Sequence, residues 1–309
     1  MKIGLKNHIT VERDKNFFYF INRETLKIAH FEGIEQMVES LIEGVDTVVL
    51  ERMDPDYCLL IDKLNEMRML TYLFEDEETI TNRQLYYLSD FTVNPKAVQE
   101  YLSTLHIAII GLGGIGSMVL HQLLCSGIKN YTLVDYDHVE LTNLNRQMVY
   151  YPSDIGKKKT DKCEELVKEY YCDSEILKID KKINTIHDFK KCVDIQHPDI
   201  VVVAIDQPNG LPQKITEYCS EQHIPCIEGG VGINFGVIHF NAMRKPKYSV
   251  QRSQIRSEIP KASFCPTNLI TAAFIAYDII HYFIGEDTFS YQNNFVIDFY
   301  KKNLFVGGT

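Results

Sequence analysis

Glycine, aspartate, arginine and lysine residues in the middle of this 309-residue chain stand at spacings that suit a nucleotide. Gly111-Leu112-Gly113-Gly114-Ile115-Gly116 follows an apolar run and precedes a helical pattern. In that context Gly111, Gly113, Gly114 and Gly116 let the backbone approach a phosphate, and the helix N-terminus supplies N–H donors and the positive end of its dipole. Asp135 follows about twenty residues later, where an acid accepts hydrogen bonds from ribose hydroxyls. These two features alone fit NAD as well as ATP. The next residues decide between them. Asn143 and Arg146 stand in Thr142-Asn143-Leu144-Asn145-Arg146-Gln147, Lys159 closes Asp154-Ile155-Gly156-Lys157-Lys158-Lys159, and Asp206 stands in Val203-Ala204-Ile205-Asp206-Gln207. A hydride-transfer site has no use for an extra Arg, Lys and Asp around its phosphates, whereas a phosphate-transfer site does. Two cations neutralise a triphosphate and its pyrophosphate leaving group. A carboxylate at a strand end holds Mg²⁺ through oxygen.

Such residues need alternating strands and helices to position them. From His106 the pattern supplies them: strands over 107–110, 131–136, 175–183, 199–205 and 224–228, with helices over 117–126, 157–171 and 211–222. The all-apolar run Ile200-Val201-Val202-Val203 is that of a strand covered on both faces. The last stretches, 236–243 and 294–306, read as strands without helices between them, hence antiparallel. The expected fold is α/β: a doubly wound, Rossmann-like, mostly parallel sheet with antiparallel C-terminal strands. A small winged-helix-like α+β module precedes it. In that module, residues 17–21 and 25–31 read as strands around Asn22-Arg23-Glu24. Residues 34–42 read as a helix stopped by Gly44, 45–50 as a strand, and Asp54-Pro55 as the start of a helix reaching Leu70. The acidic stretch 75–81 reads as a linker and 83–105 as helical. Domains are therefore expected at 1–77 and 78–309.

Composition excludes several classes of function. The net charge of −10 makes nucleic acid and anionic membrane poor general partners. The N-terminus does not read as a signal peptide, and the apolar stretch 269–284 is too short to span a bilayer and carries Asp278 and His281. The eight cysteines form no Cys-x-x-Cys pair, so no zinc site is expected, and a reduced, cytoplasmic protein fits them best.

The glycine loop, Asp135, the Asn-Leu-x-Arg-Gln box, the Lys after Asp-Ile-Gly and the Asp after the apolar strand occur in the order seen in the ThiF/MoeB/E1 superfamily of adenylating enzymes, which the chain resembles from about residue 83 to residue 306. The resemblance implies ATP and Mg²⁺ as cofactors. It places Gly114 on the phosphates, Asp135 on the ribose, and Asn143, Arg146 and Lys159 on the triphosphate, with Asp206 positioning Mg²⁺ or the attacking carboxylate. It also implies a homodimer in which an Arg from the partner enters the site, and Arg83, in Asn82-Arg83-Gln84, is the candidate. Sulfur-carrier and ubiquitin-activating members commonly carry paired zinc cysteines or a nucleophilic Cys. This chain has neither in recognisable form, and the sequence leaves the reactivity of Cys265 open. The layout is similar to peptide-modifying members of the microcin C7 adenylyltransferase type, in which a small N-terminal module binds a precursor peptide. Activation of a ubiquitin-like sulfur carrier is the alternative. The cations of 241–261 (Arg244, Lys245, Lys247, Arg252, Arg256 and Lys261) stand where the superfamily has a crossover loop.

Overall fold

A computed structural model describes residues 1–50, 55–193, 197–241, 262–286 and 295–306. The cationic segment expected as a crossover loop lies outside the described residues. The chain divides into two compact units, Met1–Tyr101 and Leu102–Thr309.

The first unit contains β1 (Lys2–Leu5), β2 (Thr10–Arg13), β3 (Phe17–Ile21), β4 (Thr25–Ala29), α1 (Ile34–Glu43), β5 (Val45–Asp46), α2 (Thr47–Leu50), α3 (Pro55–Glu66), β6 (Leu70–Tyr72) and α4 (Asn82–Leu88). Helix α5 (Pro95–Thr104) runs across the division. Two three-stranded antiparallel sheets result, ordered β5-β1-β6 and β2-β3-β4. Phe18 and Phe20 alternate inward on β3, and α1 turns Ile34, Met37, Val38 and Leu41 onto the same core as Leu60 and Leu64 of α3.

Several sequence expectations change here. The expected strand over 45–50 is a strand for Val45–Asp46 only, followed by a helical turn. Helix α3 stops at Glu66: Arg68 takes φ 54°, and Leu70 begins a strand that pairs with β1. The helix expected over 83–105 is broken, because Pro95 can start a helix but not continue one. The division also falls beyond residue 77. Tyr72 N–H donates to the Val93 carbonyl (2.7 Å), Tyr86 packs on Phe74 and donates to Asp76 (2.7 Å), and Val93 packs on the first core, so this stretch belongs to the first unit.

The second unit holds β7 (His106–Ile110), α6 (Gly116–Cys125), β8 (Asn130–Val134), α7 (Lys159–Tyr170), β9 (Ile176–Ile179), α8 (Ile186–Val193), β10 (Ile200–Val203), α9 (Leu211–Glu221), β11 (Cys226–Val231), β12 (Phe235–Asn241), α10 (Cys265–Phe283), β13 (Phe295–Asp298) and β14 (Asn303–Val306). One eight-stranded sheet runs β14-β13-β12-β11-β10-β7-β8-β9. Strands β7 to β11 are parallel, and β12, β13 and β14 antiparallel. The expected strand over 294–306 is a hairpin of two. Ala108, Ile110, Val201 and Val203 pack on one face with Phe189 of α8 and Ile215 of α9. Their neighbours Ile107, Ile109 and Val202 alternate to the other face and are equally buried. The chain builds β7, β8 and β9 outward in one direction, then returns to lay β10 on the other side of β7. That reversal opens a crevice at the carboxyl ends of β7 and β10, where open α/β sheets hold ligands. No helix among the described residues is long and apolar enough to cross a membrane.

Candidate active site

At the β7–β10 reversal lies a cleft of about 760 Å³, lined by Gly111, Gly113, Gly114, Asp135, Asn143, Arg146, Lys159 and Asp206. The glycine loop is shaped by its neighbours. Gly111 takes φ 95°, and a Cβ there would lie 2.7 Å from the Ala204 carbonyl oxygen, so only glycine fits. At Gly114 a Cβ would come 2.4 Å from Asn268 Oδ1, at the buried start of α10. Gly113 has no such neighbour, the nearest atom being Gln147 Nε2 at 4.0 Å, so its bareness leaves room for a ligand. Gly116 corrects the sequence reading. It does not line the cleft, and a Cβ there would sit 1.9 Å from the Gly111 carbonyl oxygen, so it is a packing glycine that brings α6 against the loop.

Asp135 ties this loop to the rest of the site. Its carboxylate accepts from Leu112 N–H (2.6 Å) and Asp137 N–H (2.8 Å). Burial raises its pKa, opposed by Lys159 and by these two N–H groups. Asp137, two residues further on, was not singled out from sequence. Its carboxylate accepts from the Lys159 ammonium (3.1 Å), and its carbonyl accepts from Lys159 N–H (3.1 Å). Lys159 is 4% exposed, whereas the Asp137 side chain is 44% exposed. The ammonium is thus held at the cleft wall by a partly solvated partner. Tyr150 fixes the loop from below: its hydroxyl donates to the Leu112 carbonyl (2.9 Å) and lies 3.4 Å from the buried Cys163 thiol, which burial pushes up to about 12.

Arg146 is aimed by its own loop, its Nη1 donating to the Thr142 carbonyl (2.9 Å) and to Asn145 Oδ1 (2.8 Å). Asn143 is buried, and its Oδ1 accepts from Glu140 N–H (3.1 Å). Asp206 lies past the end of β10, exposed, and makes no hydrogen bond or ion pair among the described residues. A lone carboxylate suits Mg²⁺, which takes one or two carboxylates and completes its shell with phosphate oxygens and water. Arg83 is exposed on α4, in the first unit. Cys265 is the first residue of α10 and half-buried.

Sequence reasoning also passed over other cleft residues. Gln147 is 3% exposed, and its Oε1 has no hydrogen-bond partner among the described residues. Lys181 pairs with Asp188 (2.8 Å), and Lys182 stands 4.9 Å from the Tyr136 ring centre. Gly229, Gly230, Val231 and Gly232, at the end of β11 and just past it, also line the cleft. A second glycine run after an apolar strand was the available signal for the last of these. Asn268 had no local signal, since only the approach of α10 to the loop gives it a place.

The protein shares its fold with E. coli MccB. The MccB structure with MccA-N7isoASN superposes at TM-score 0.80 with 24% identity, over 100% of this chain and 96% of that one. The MccB structure with ATP gives TM-score 0.77 and 24% identity, again over 100% and 96%. The ubiquitin-like modifier-activating enzyme 5 of Drosophila erecta is 26% identical over 221 residues, 63% of this chain and 54% of that protein. The tRNA threonylcarbamoyladenosine dehydratase of Haemophilus influenzae is 36% identical over 133 residues, 41% of this chain and 48% of that protein. The chain thus spans about half the length of these two relatives. Residues 81–306 match the ThiF family model, and these residues include the glycine loop, Arg146, Lys159 and Asp206; the chain belongs to the ThiF family.

Proposed function

We propose that this protein is an ATP-dependent adenylating enzyme that activates a carboxyl or carboxamide of a ribosomally made peptide and releases pyrophosphate. The observation that carries this reading is the convergence in one cleft of a bare glycine loop, the cations Arg146 and Lys159, and the Asp206 carboxylate, which has no partner among the described residues. In the proposed step a substrate oxygen bonds to the α-phosphorus of ATP. The bond from that phosphorus to the bridging oxygen of the β-phosphate breaks, and pyrophosphate leaves with the electron pair. Gly113 and Gly114 admit the phosphates, Asn143 donates to them, and Arg146 and Lys159 balance the charge that builds on the phosphorane oxygens and the leaving group. Asp135 accepts from the ribose. Asp206 would hold a Mg²⁺ carried in with the nucleotide, whose role is to neutralise phosphate charge.

The shared layout with MccB over the whole chain supports a peptide substrate, since MccB has been solved with MccA. The first unit, in particular residues 1–77, is the proposed leader-binding module. Strands β2 and β4 are the edges of its second sheet, and an unpaired edge can take an extended peptide as an added strand. We further propose a cytoplasmic homodimer in which Arg83 reaches the partner's site. The similarity to a ubiquitin-like modifier-activating enzyme favours a second reading, activation of a carrier protein's C-terminus.

The test is pyrophosphate release from Mg·ATP with small peptides encoded near the gene, and separately with a carrier protein ending in Gly-Gly. Peptide-dependent release that Arg146→Ala abolishes, with the fold intact by circular dichroism, supports the first reading. Release with the carrier alone selects the second. Unchanged pyrophosphate release in Arg146→Ala overturns both.

A further inference from the structure

Two lysines are almost completely buried among the described residues, Lys159 at 4% exposure and Lys6 at 3%. Lys159 has the Asp137 carboxylate beside it. Lys6, in the first unit, makes no side-chain hydrogen bond or ion pair among the described residues. Lysine is almost never buried to this degree without a partner, because taking an ammonium out of water is costly. The backbone holds the residue in place. Lys6 follows β1, its N–H donates to the Met69 carbonyl (3.0 Å), and its carbonyl accepts from Ile9 N–H (3.0 Å). The first of these bonds carries the β1–β6 pairing one residue further, so the side chain cannot leave its site without breaking the end of that ladder.

The neighbouring charges come from separate segments. Burial lowers the Lys6 pKa, Asp90 opposes this, and the guanidinium groups of Arg68 and Arg23 add to it by repulsion. Arg68 stands in the turn between α3 and β6, Arg23 in the turn between β3 and β4, and Asp90 just past α4. The Asp90 carboxylate is turned to other cations. Arg23 Nη2 lies 3.6 Å from its Oδ2, and His8 Nε2 lies 3.1 Å from its Oδ1. The His8 contact is close but not aligned, since the buried Oδ1 accepts no hydrogen bond among the described residues. Arg23 and His8 are exposed, whereas Lys6 is not. The cluster therefore has a buried cation at its floor and two basic side chains at its rim, in a chain whose net charge is −10. An oxyanion is the group that meets an unpartnered ammonium and a nearby guanidinium together.

We infer that Lys6 and Arg23 form a binding site for a small phosphate-class oxyanion in the first unit, with Lys6 beneath the anion and Arg23 closing on it from the β3–β4 turn. Asp90 holds Arg23 beside the site and competes with the anion for it. A dianion fits better than a monoanion because more than one cation converges there. A bound anion would tie the end of β1, in one three-stranded sheet, to the β3–β4 turn of the other. The inference does not depend on the adenylation reading, since each of its residues belongs to Met1–Tyr101.

The test is a titration of inorganic phosphate into the full-length, isotope-labelled protein at constant ionic strength, followed by the NMR shifts of backbone amides. Saturable shifts are expected at residues 6–9, 22–24 and 90. Arg23→Gln alters a side chain that is 81% exposed, so the fold should survive, and binding should weaken about tenfold, the loss of one charge-assisted hydrogen bond. Lys6→Met keeps the length of the side chain, removes its charge and should abolish the shifts. Asp90→Asn should strengthen binding severalfold, because the competing carboxylate is gone. Absence of saturable shifts at these amides, shifts confined to the glycine loop of the second unit, or undiminished binding in Arg23→Gln overturns the inference. Unchanged or weaker binding in Asp90→Asn also overturns it, since that is the result expected if Lys6 and Asp90 merely pair through solvent.

Discussion

Replacing Asp137 by Asn tests whether the Lys159 ammonium is held in waiting for a phosphate. The lysine is 4% exposed, and its Nζ lies 3.1 Å from Asp137 Oδ2. At that distance and an effective dielectric of about 20, the attraction is about 5 kcal/mol before desolvation. Water reaches Asp137, whose side chain is 44% exposed, so the net loss on removing its charge falls to about 1–2 kcal/mol. For a unit of this size each kcal/mol moves Tm by about 2–4 °C, so Asp137→Asn should melt roughly 2–8 °C lower without ligand. Mg·ATP brings back the missing negative charge. The nucleotide should therefore raise the Tm of the variant by more than it raises that of the unaltered protein. Differential scanning fluorimetry with and without saturating Mg·ATP measures both shifts. Equal ATP-induced shifts would show that Lys159 does not exchange Asp137 for a phosphate, and an unchanged ligand-free Tm would refute the ion-pair argument itself.

Two further predictions follow from neighbouring geometry. Gly114→Ala places a Cβ 2.4 Å from Asn268 Oδ1, and Asn268 cannot swing aside freely because its Nδ2 donates to Ser263 Oγ (3.1 Å) and the Phe264 carbonyl (2.8 Å). ATP affinity should fall by about tenfold or more, and Asn268→Ala in the same chain should recover part of it. Strictly additive effects in that double-mutant cycle would exclude the clash. Asp154 is buried, which opposes its ionisation, but Tyr151 N–H (3.0 Å) and the ammonium groups of Lys157 (3.1 Å) and Lys162 (3.2 Å) outweigh this and hold its pKa below 3.8. A depressed carboxyl stabilises the fold fully above pH 3.8, and that contribution is lost as pH falls through the lowered value. Asp154→Asn should thus cost about 1–3 kcal/mol at neutral pH and progressively less in acid. Urea melts at neutral pH and at the acid limb check this, and a constant difference across pH would contradict the assignment.

Local pattern was enough for much of the second unit. The glycine loop between an apolar strand and a helix, the buried run of β10 and the short spacing from Asp135 to Arg146 are properties of adjacent residues, and local sterics and periodicity specify them. The same logic failed where the partner is remote. Residues 45–50 have strand composition throughout, yet only Val45–Asp46 finds a neighbour, in β1. Leu70 continues an apolar helical stripe, but pairing with Leu5 makes it a strand residue. The helix expected over 83–105 ignored Pro95, and residues around Val93 joined the first unit through bonds to Thr71 and Tyr72.

For the site, residue types and order were sufficient to name the phosphate cations, the ribose-side acid and the strand-end carboxylate as candidates. Tertiary structure alone decided that Gly116 packs and does not line the cleft, that Asp137 holds Lys159, that Asn268 of α10 closes on Gly114, and that β11 extends past β10. The physical reason is that each of these depends on the placement of a segment far away in the chain. A glycine's φ or a strand's apolar run is set within a few residues, whereas an open strand edge exists only relative to the neighbour that stops short of it.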